Sequence, residues 1–377
     1  MGADATASPG GGAAGALADV IPAACATIGL EGFRDAIGLR AAVEDTPGHV
    51  VVLLVDGLGW HQARAHADLA PRLQSERRLS TAFPSTTPVG LASLGTGVSA
   101  GMHGMVGAAF LLPETGAVLH PLSWADDPHP QAIQPERTVL ERAVMAGAAV
   151  RSVGPRAFAR SGLTRAALRG GDYVGADSVG ERIAEACAAA DRPSLTYVYW
   201  GDLDKTGHVH GVQSDAWREE LVHVDGIVQR LQRRLPPNAM LLVTADHGMV
   251  DCPDEDRVDI DVLVPLQQGV RRIAGEPRMR HVYARPGAAA EVAATWEETL
   301  GSRAWVLSRE GAVDAGLFGD VDPDYAERIG DVIAVARDRT ALASPRVDAL
   351  VSSLRGQHGA LSDEEMAVPL ILHAGEG

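Results

Sequence analysis

The stretch HVVVLLVDG, residues 49–57, reads as a buried strand that runs into a turn. Its apolar run shows no alternation with polar residues, the pattern of a strand covered on both faces. The following WHQARAHADLAPRL, residues 60–73, reads as a helix, so the two together open a βα unit. Further apolar, β-branched or aromatic runs occur at SLTYVYW (194–200), AMLLVTADHG (239–248), DVIAVAR (331–337) and VPLILHA (368–374). Helical stretches lie around 134–147, 176–190, 214–234 and 287–300. Buried strands separated by helices predict an α/β fold around a largely parallel sheet with helices on both faces. In such sheets ligands bind beyond the carboxyl ends of the strands.

The chain has 377 residues and 46% apolar content, enough for one large α/β domain with an insertion or for two domains. Residues 1–15 are small and polar and are expected to be disordered. The segment 252–345 is richer in Pro, Gly and charge and interrupts the strand spacing. It is expected to be an inserted cap or lid, leaving 16–251 and 346–377 as the core. No apolar run reaches the ~18 residues of a membrane span, and no signal-peptide pattern precedes the first strand. Cys25, Cys187 and Cys252 have no metal-ligand spacing and are odd in number, which suits a reducing compartment. A cytoplasmic protein is the expectation. The net charge of −16 argues against polymeric nucleic acid and anionic membranes as partners. A small anionic substrate stays compatible with it, because bound divalent cations reverse the local field. The one lysine, Lys205, falls inside a candidate metal motif, where it either hydrogen-bonds phosphate or simply faces water.

Three polar clusters follow strand-like runs: Asp56 after VVLLV, Asp202 and Asp204 after LTYVYW, and Asp246 with His247 after MLLVT. Carboxylates at the carboxyl ends of parallel strands converge on one edge of the sheet. The second cluster continues to His208, and an isolated His358 stands in RGQHGAL. Taken singly, each Asp reads equally well as a turn or cap residue, Asp204 and His208 as a solvated i, i+4 pair, and His358 as a structural histidine. Their coincidence supplies six Asp and His ligands, a donor set that suits zinc or a similar ion and suffices for two. Two ions ~4 Å apart stabilise both an attacking oxygen and a transferring phosphoryl group.

The segment FPSTTPVGLASLGTG, residues 83–97, places Pro88 at an expected first helical position and Thr87 at the N-cap before it. A hydroxyl there sits among unpaired backbone N–H groups at the positive end of a helix, which favours an alkoxide or a phosphate. A plain capping role fits as well, and Ser85 and Thr86 are adjacent alternatives.

VVLLVDG, FPSTTPVGLASLGTG, YWGDLDKTGHVHG, TADHGM and GQHG, in this order, resemble the alkaline phosphatase superfamily, and within it the nucleotide pyrophosphatase/phosphodiesterase family. The resemblance covers about residues 48–110, 194–250 and 355–373 and implies the three-layer α/β/α sandwich of that superfamily. The family's nucleophilic Thr stands ten residues before the Gly of a TG pair, which here is Thr87 before Gly97. By motif, Asp204, His208 and His358 would hold one divalent ion; Asp56, Asp246 and His247 would hold the other, with Thr87 on it. The implied cofactors are two Zn2+ ions, with Mn2+ as the alternative. The implied reaction is in-line attack by Thr87 on phosphorus and hydrolysis of a phosphothreonyl intermediate by water.

Two positions depart from the family pattern. Pro88 follows the nucleophile where an aromatic residue usually stacks a nucleobase, and Ala108 stands where an Asn usually contacts the phosphate. Trp124, Tyr173 and Trp200 are candidate replacement stacking residues, although large aromatics belong more often to cores; His103 reads as structural. The leading expectation is a phosphodiesterase or nucleotide pyrophosphatase acting on a small phosphate ester. The alternatives are a phosphomonoesterase on the same metal core, a phosphonate hydrolase and a silent binding protein of the same fold. A sulfatase lacks support because no C-x-P-S-R motif occurs. A phosphoglycerate-mutase-like enzyme would carry Ser at the nucleophile position.

Overall fold

Seven consecutive buried residues make His49–Val55 the centre of the molecule, and neighbours on both sides explain the unbroken apolar run from Val50 to Val55. The computed structural model describes residues 15–125, 127–188 and 190–376, so the expected disorder of 1–15 lies, apart from Gly15, outside the described residues. A six-stranded sheet contains β1 (His49–Val55), β2 (Ala149–Gly154), β3 (Asp172–Gly175), β4 (Ser194–Trp200), β5 (Ala239–Thr244) and β10 (Ile371–Ala374). A four-stranded sheet contains β6 (Val270–Glu276), β7 (Met279–Ala284), β8 (Ala304–Ser308) and β9 (Val332–Ala336).

The larger sheet has the order β10-β5-β1-β4-β2-β3. Its strands are parallel except β10, which runs antiparallel to β5 at the edge. The fold is the expected largely parallel α/β sheet. The run 368–374 is two elements rather than one strand: Ala367–Pro369 pairs with Arg78–Ser80, and Leu370 separates it from β10. β2 and β3 escaped the sequence reading because Arg151, Ser152 and Asp172 break the apolar pattern.

The connecting helices are α1 (Trp60–Ala65), α2 (Thr87–Thr96), α3 (Val139–Met145), α4 (Val179–Ala186), α5 (Asp202–His210), α6 (Asp215–Arg234) and α7 (Ala289–Leu300). Sequence chemistry sets their starts. Thr138 with Glu141 and Ser178 with Glu181 form capping boxes, and the Ser214 hydroxyl accepts the Trp217 N–H at 3.2 Å. The helix expected over 60–73 ends at Ala65. Ala70, before Pro71, lies outside the helical region with φ −133° and ψ 68°, and Pro71 opens a separate 3-10 turn instead.

The run at 331–337 does not join the parallel sheet. Its strand β9 lies between β7 and β8 in the smaller sheet, of order β6-β7-β9-β8 and antiparallel throughout. Alternation explains its apolar sequence: Ile333 and Val335 pack into the core shared with the large sheet, while Val332, Ala334 and Ala336 pack with Val282, Trp296 and Leu342 in a second core. Both faces are covered, so β9 reads like a parallel strand although it is antiparallel. Among the described residues no helix is long and apolar enough to cross a membrane.

Candidate active site

The carboxyl ends of β1, β4 and β5 open towards the same edge, and the candidate residues follow them. β1 ends at Val55, and the next residue, Asp56, donates its N–H to the Trp200 carbonyl at 2.8 Å, which ties the ends of β1 and β4 together. Gly57 then turns the chain with φ +75°, and a Cβ there would lie 3.0 Å from the Asp204 Cα. That position requires glycine both for its dihedral and for the approach of α5. Asp204 and His208 sit one turn apart on α5, so they share a face. His358 arrives from the far end of the chain because Gly356–Gln357 pairs with Val250–Asp251, just beyond His247.

The six residues form two groups whose ligand atoms lie within 4.8 Å of one another: Asp204, His208 and His358, and Asp56, Asp246 and His247. In the first, His208 Nε2 is 3.4 Å from Asp204 Oδ2 and 3.2 Å from His358 Nε2. In the second, His247 Nε2 is 3.4 Å from Asp56 Oδ1 and 3.7 Å from Asp246 Oδ2. The stacked rings of His247 and His358, with centroids 3.7 Å apart, join the two groups. Asp202, counted with Asp204 at a strand end, is exposed at the start of α5 and is in neither group, and Lys205 is exposed.

The groups fit cations in three respects. Each histidine points Nδ1 at a backbone carbonyl: His208 at Gly356 (2.8 Å), His358 at Ser85 (2.9 Å) and His247 at Gly248 (3.0 Å). A carbonyl only accepts, so Nδ1 carries the hydrogen and Nε2 offers a lone pair. Burial, followed by the neighbouring His247 and His208, pushes His358 well below the usual histidine range, which leaves its Nε2 lone pair free to serve as a ligand 3.2 Å from His208 Nε2. Secondly, Asp204 Oδ1 and Asp246 Oδ2 are buried with no hydrogen-bond partner among the described residues, which is costly unless a cation compensates. Thirdly, burial, followed by the charges of Asp246 and Asp204, raises Asp56 well above the usual carboxylate range; burial likewise raises Asp246. Three carboxyls collected in one buried place call for positive charge.

α2 presents the hydroxyl. The helix begins at Thr87, one residue earlier than expected: Thr86 is the N-cap, with φ −136° and ψ 148°, and Pro88 occupies the second helical position. Its missing N–H is still among those that have no partner within the helix, so the register costs nothing. All ten residues of α2 are buried, and Gly90 lets it pack directly on Asp246, where a Cβ would come within 2.9 Å of the Asp246 carbonyl oxygen. Of the three adjacent hydroxyls, Ser85 bonds the Ala360 carbonyl at 2.8 Å, and Thr86 points to Glu276 at 3.4 Å. Thr87 Oγ1 lies 3.1 Å from His247 Nε2 and 3.5 Å from each Asp56 oxygen.

Several contributors were missed in the sequence. The Tyr199 hydroxyl donates to Asp56 Oδ2 at 2.5 Å, and Glu276, from the end of β6, is buried beside His358 with Oε2 3.8 Å from its Nδ1. A fully buried ion pair, Arg278 to Glu365 at 2.7 Å, anchors the turn after β6 to the segment behind His358, where Glu365 also accepts the Ala360 N–H. Strand alternation was the available signal for Tyr199; Glu276 and Arg278 had none, because they arrive from another sheet. The suggested stacking residues are engaged elsewhere. Trp124 is buried with its N–H on the Pro128 carbonyl, Tyr173 bonds the Pro155 carbonyl, and Trp200 is buried under Arg182. Phe158, which is exposed, packs edge-to-face on Tyr199 with centroids 6.0 Å apart. His103 is buried between Ser93 and the Met105 N–H.

Known proteins are similar to this chain at two levels, sequence and fold. A 119-residue part of the chain is 34% identical to a phosphopentomutase of Rhizobium meliloti (strain 1021), covering 31% of this chain and 28% of that protein; the match therefore spans little more than a quarter of the relative's length. Murine ectonucleotide pyrophosphatase / phosphodiesterase 5 superposes with a TM-score of 0.70 at 19% identity, over 86% of this chain and 87% of the other. Phosphonoacetate hydrolase from Sinorhizobium meliloti 1021, in complex with phosphonoformate, gives 0.64 at 20% identity, over 86% and 90%. The sequence model of type I phosphodiesterase / nucleotide pyrophosphatase matches residues 50–361, from the first strand through the His358 segment. With that match spanning most of its length, the chain belongs to the type I phosphodiesterase / nucleotide pyrophosphatase family of the alkaline phosphatase superfamily.

Proposed function

We propose that the protein is a two-metal phosphoric-diester hydrolase that works through a phosphothreonyl intermediate on Thr87. The observation that carries this reading is the position of Thr87 Oγ1 at the head of α2, 3.1 Å from His247 Nε2, beside two donor groups bridged by stacked histidines. Asp204, His208 and His358 would hold one ion, and Asp56, Asp246 and His247 the other, with Thr87 beside it. The mixed carboxylate and imidazole donors suit zinc, with manganese as the alternative. Such ions supply Lewis acidity for the phosphoryl oxygens and for the attacking and leaving oxygens.

The chain's own residues do the rest. Thr87 Oγ1 forms a bond to phosphorus while the ester's leaving oxygen departs with its electron pair, and the proton that Thr87 gives up ends on that oxygen, releasing an alcohol. The positive end of α2 favours the anionic phosphoryl group at this point. Water then attacks the phosphothreonyl phosphorus, restores the Thr87 hydroxyl and releases a phosphate monoester. The segment 252–345 acts in this reading as a cap that shapes the leaving-group pocket. Phe158 offers an exposed aromatic surface beside Tyr199.

A phosphomonoesterase is the second reading, favoured by Pro88 and Ala108 at positions where the family usually has an aromatic residue and an Asn. Turnover of bis-p-nitrophenyl phosphate and p-nitrophenyl phosphate, with zinc or manganese, separates the two; the diester is expected to be the better substrate. Thr87→Ala is expected to abolish turnover while two ions remain bound. Substantial residual activity in that variant, or no turnover of either ester by fully metallated wild type, would count against the mechanism.

A further inference from the structure

We infer that Tyr199 is a positioning residue that decides which oxygen of Asp56 is offered to a metal ion. The inference rests on the two-metal reading above. Tyr199 stands one residue before the end of β4, opposite Leu54 of β1, and Asp56 follows two residues after Leu54. Its phenol therefore lies at the strand end where the carboxylate emerges. The hydroxyl donates to Asp56 Oδ2 at 2.5 Å, a charge-assisted bond of the short kind when the acceptor is ionised. Oδ1 faces the other way, 3.4 Å from His247 Nε2, and so belongs to the group formed with Asp246 and His247.

A carboxylate left to itself can take a cation through one oxygen or through both. With Oδ2 held by the phenol, Oδ1 remains as the donor, and rotation of the carboxylate plane is restrained. Thr87 Oγ1 is 3.5 Å from each oxygen, so a turn of that plane would also move the acceptors around the hydroxyl. The surroundings keep the phenol where it is. A Cβ on Gly201 would come within 2.7 Å of the Tyr199 hydroxyl, and Phe158 packs edge-to-face against the ring.

The same strand supplies the control. Tyr197 lies two residues earlier on the same face of β4, buried, and its hydroxyl has no hydrogen-bond partner among the described residues. Tyr199→Phe and Tyr197→Phe delete the same atom from one strand face, but only the first removes a bond to Asp56. The experiment titrates each metal-free, full-length protein with zinc against a chromophoric chelator and records its thermal midpoint. Wild type and Tyr197→Phe are expected to bind two ions alike. Tyr199→Phe is expected to weaken one of the two sites by about 10- to 100-fold while its metal-free midpoint stays near that of wild type. Unchanged affinity at both sites in Tyr199→Phe, or equal losses in the two variants, would overturn the inference alone. A wild type that takes up no zinc would overturn the two-metal reading and this inference with it.

Discussion

His103 and His281 are two residues whose sequence context says little and whose surroundings say much. His281 Nδ1 accepts the Gly330 N–H at 3.1 Å, and its Nε2 hydrogen is directed at the Val106 carbonyl at 2.9 Å. His103 Nδ1 accepts the Met105 N–H at 3.1 Å, and its Nε2 meets the Ser93 hydroxyl at 2.9 Å. Each ring is satisfied as the neutral tautomer, and a second proton would remove an acceptor inside the core. Burial lowers His103 to about 3 and His281 to about 4. A depressed folded-state pKa means that the unfolded chain binds more protons below the ordinary histidine value near 6.5. The stability contributed by these rings is complete above that pH and is lost as pH falls through it towards 4. Urea unfolding of metal-free protein between pH 6.5 and 4 should show this slope, and His281→Gln should flatten it by up to ~1.4 kcal/mol per pH unit. An unaltered slope in that variant would show that His281 does not titrate as its surroundings require.

At the scale of elements, α2 is the helix on which the candidate chemistry depends, and its glycines set where it lies. Gly90 meets Asp246, whose backbone cannot swing away as a long side chain would; an added Cβ would sit 2.8 Å from the Asp246 Cβ. Gly95, near the other end, meets the Ala167 carbonyl oxygen, 1.8 Å from an added Cβ. Gly90→Ala and Gly95→Ala are both expected to lower stability by ~1–3 kcal/mol through overpacking. They should differ in function. Gly90→Ala shifts the helix against the metal-ligand segment and is expected to reduce kcat of the folded protein. Gly95→Ala strains the end remote from Thr87 and should leave kcat of the folded fraction closer to wild type. Calorimetry together with steady-state kinetics tests the pair, and equal kinetic losses in both variants would contradict the contrast.

Across the whole molecule, the candidate site draws on segments from Asp56 to His358 and is closed from behind by Glu276 and the Arg278–Glu365 pair. Such a site does not exist in the unfolded chain, so ion binding adds directly to folding stability. With free zinc at 100 times its dissociation constant, each site should add ~2.7 kcal/mol. The thermal midpoint is therefore expected to rise with zinc and to fall on treatment with EDTA, with unfolding followed by circular dichroism. A midpoint indifferent to both additions would argue that Asp204 Oδ1 and Asp246 Oδ2 are satisfied in another way.

The parallel sheet was legible in the sequence because β1, β4 and β5 are buried on both faces, and the strand-end acids were legible because such a sheet has one functional edge. The order of the motifs pointed to the family. Other features had no local signal. β9 reads like a parallel strand, since burial on both faces leaves the same apolar pattern whichever way the partners run. Thr87 could not be told from Ser85 and Thr86 by capping propensity, which Ser and Thr share; the carbonyl of Ala360 and the carboxyl of Glu276 draw the other two away. Alternation along β4 could point to Tyr199, but its bond to Asp56 came only from β4 lying beside β1. The sequence by itself determined the layers, the edge and the kinds of donor atoms, because these follow from periodicity and side-chain chemistry. Which atoms meet was decided by tertiary structure, because a hydrogen bond or a ligand set needs ångström placement between segments as much as 302 residues apart, the separation of Asp56 and His358.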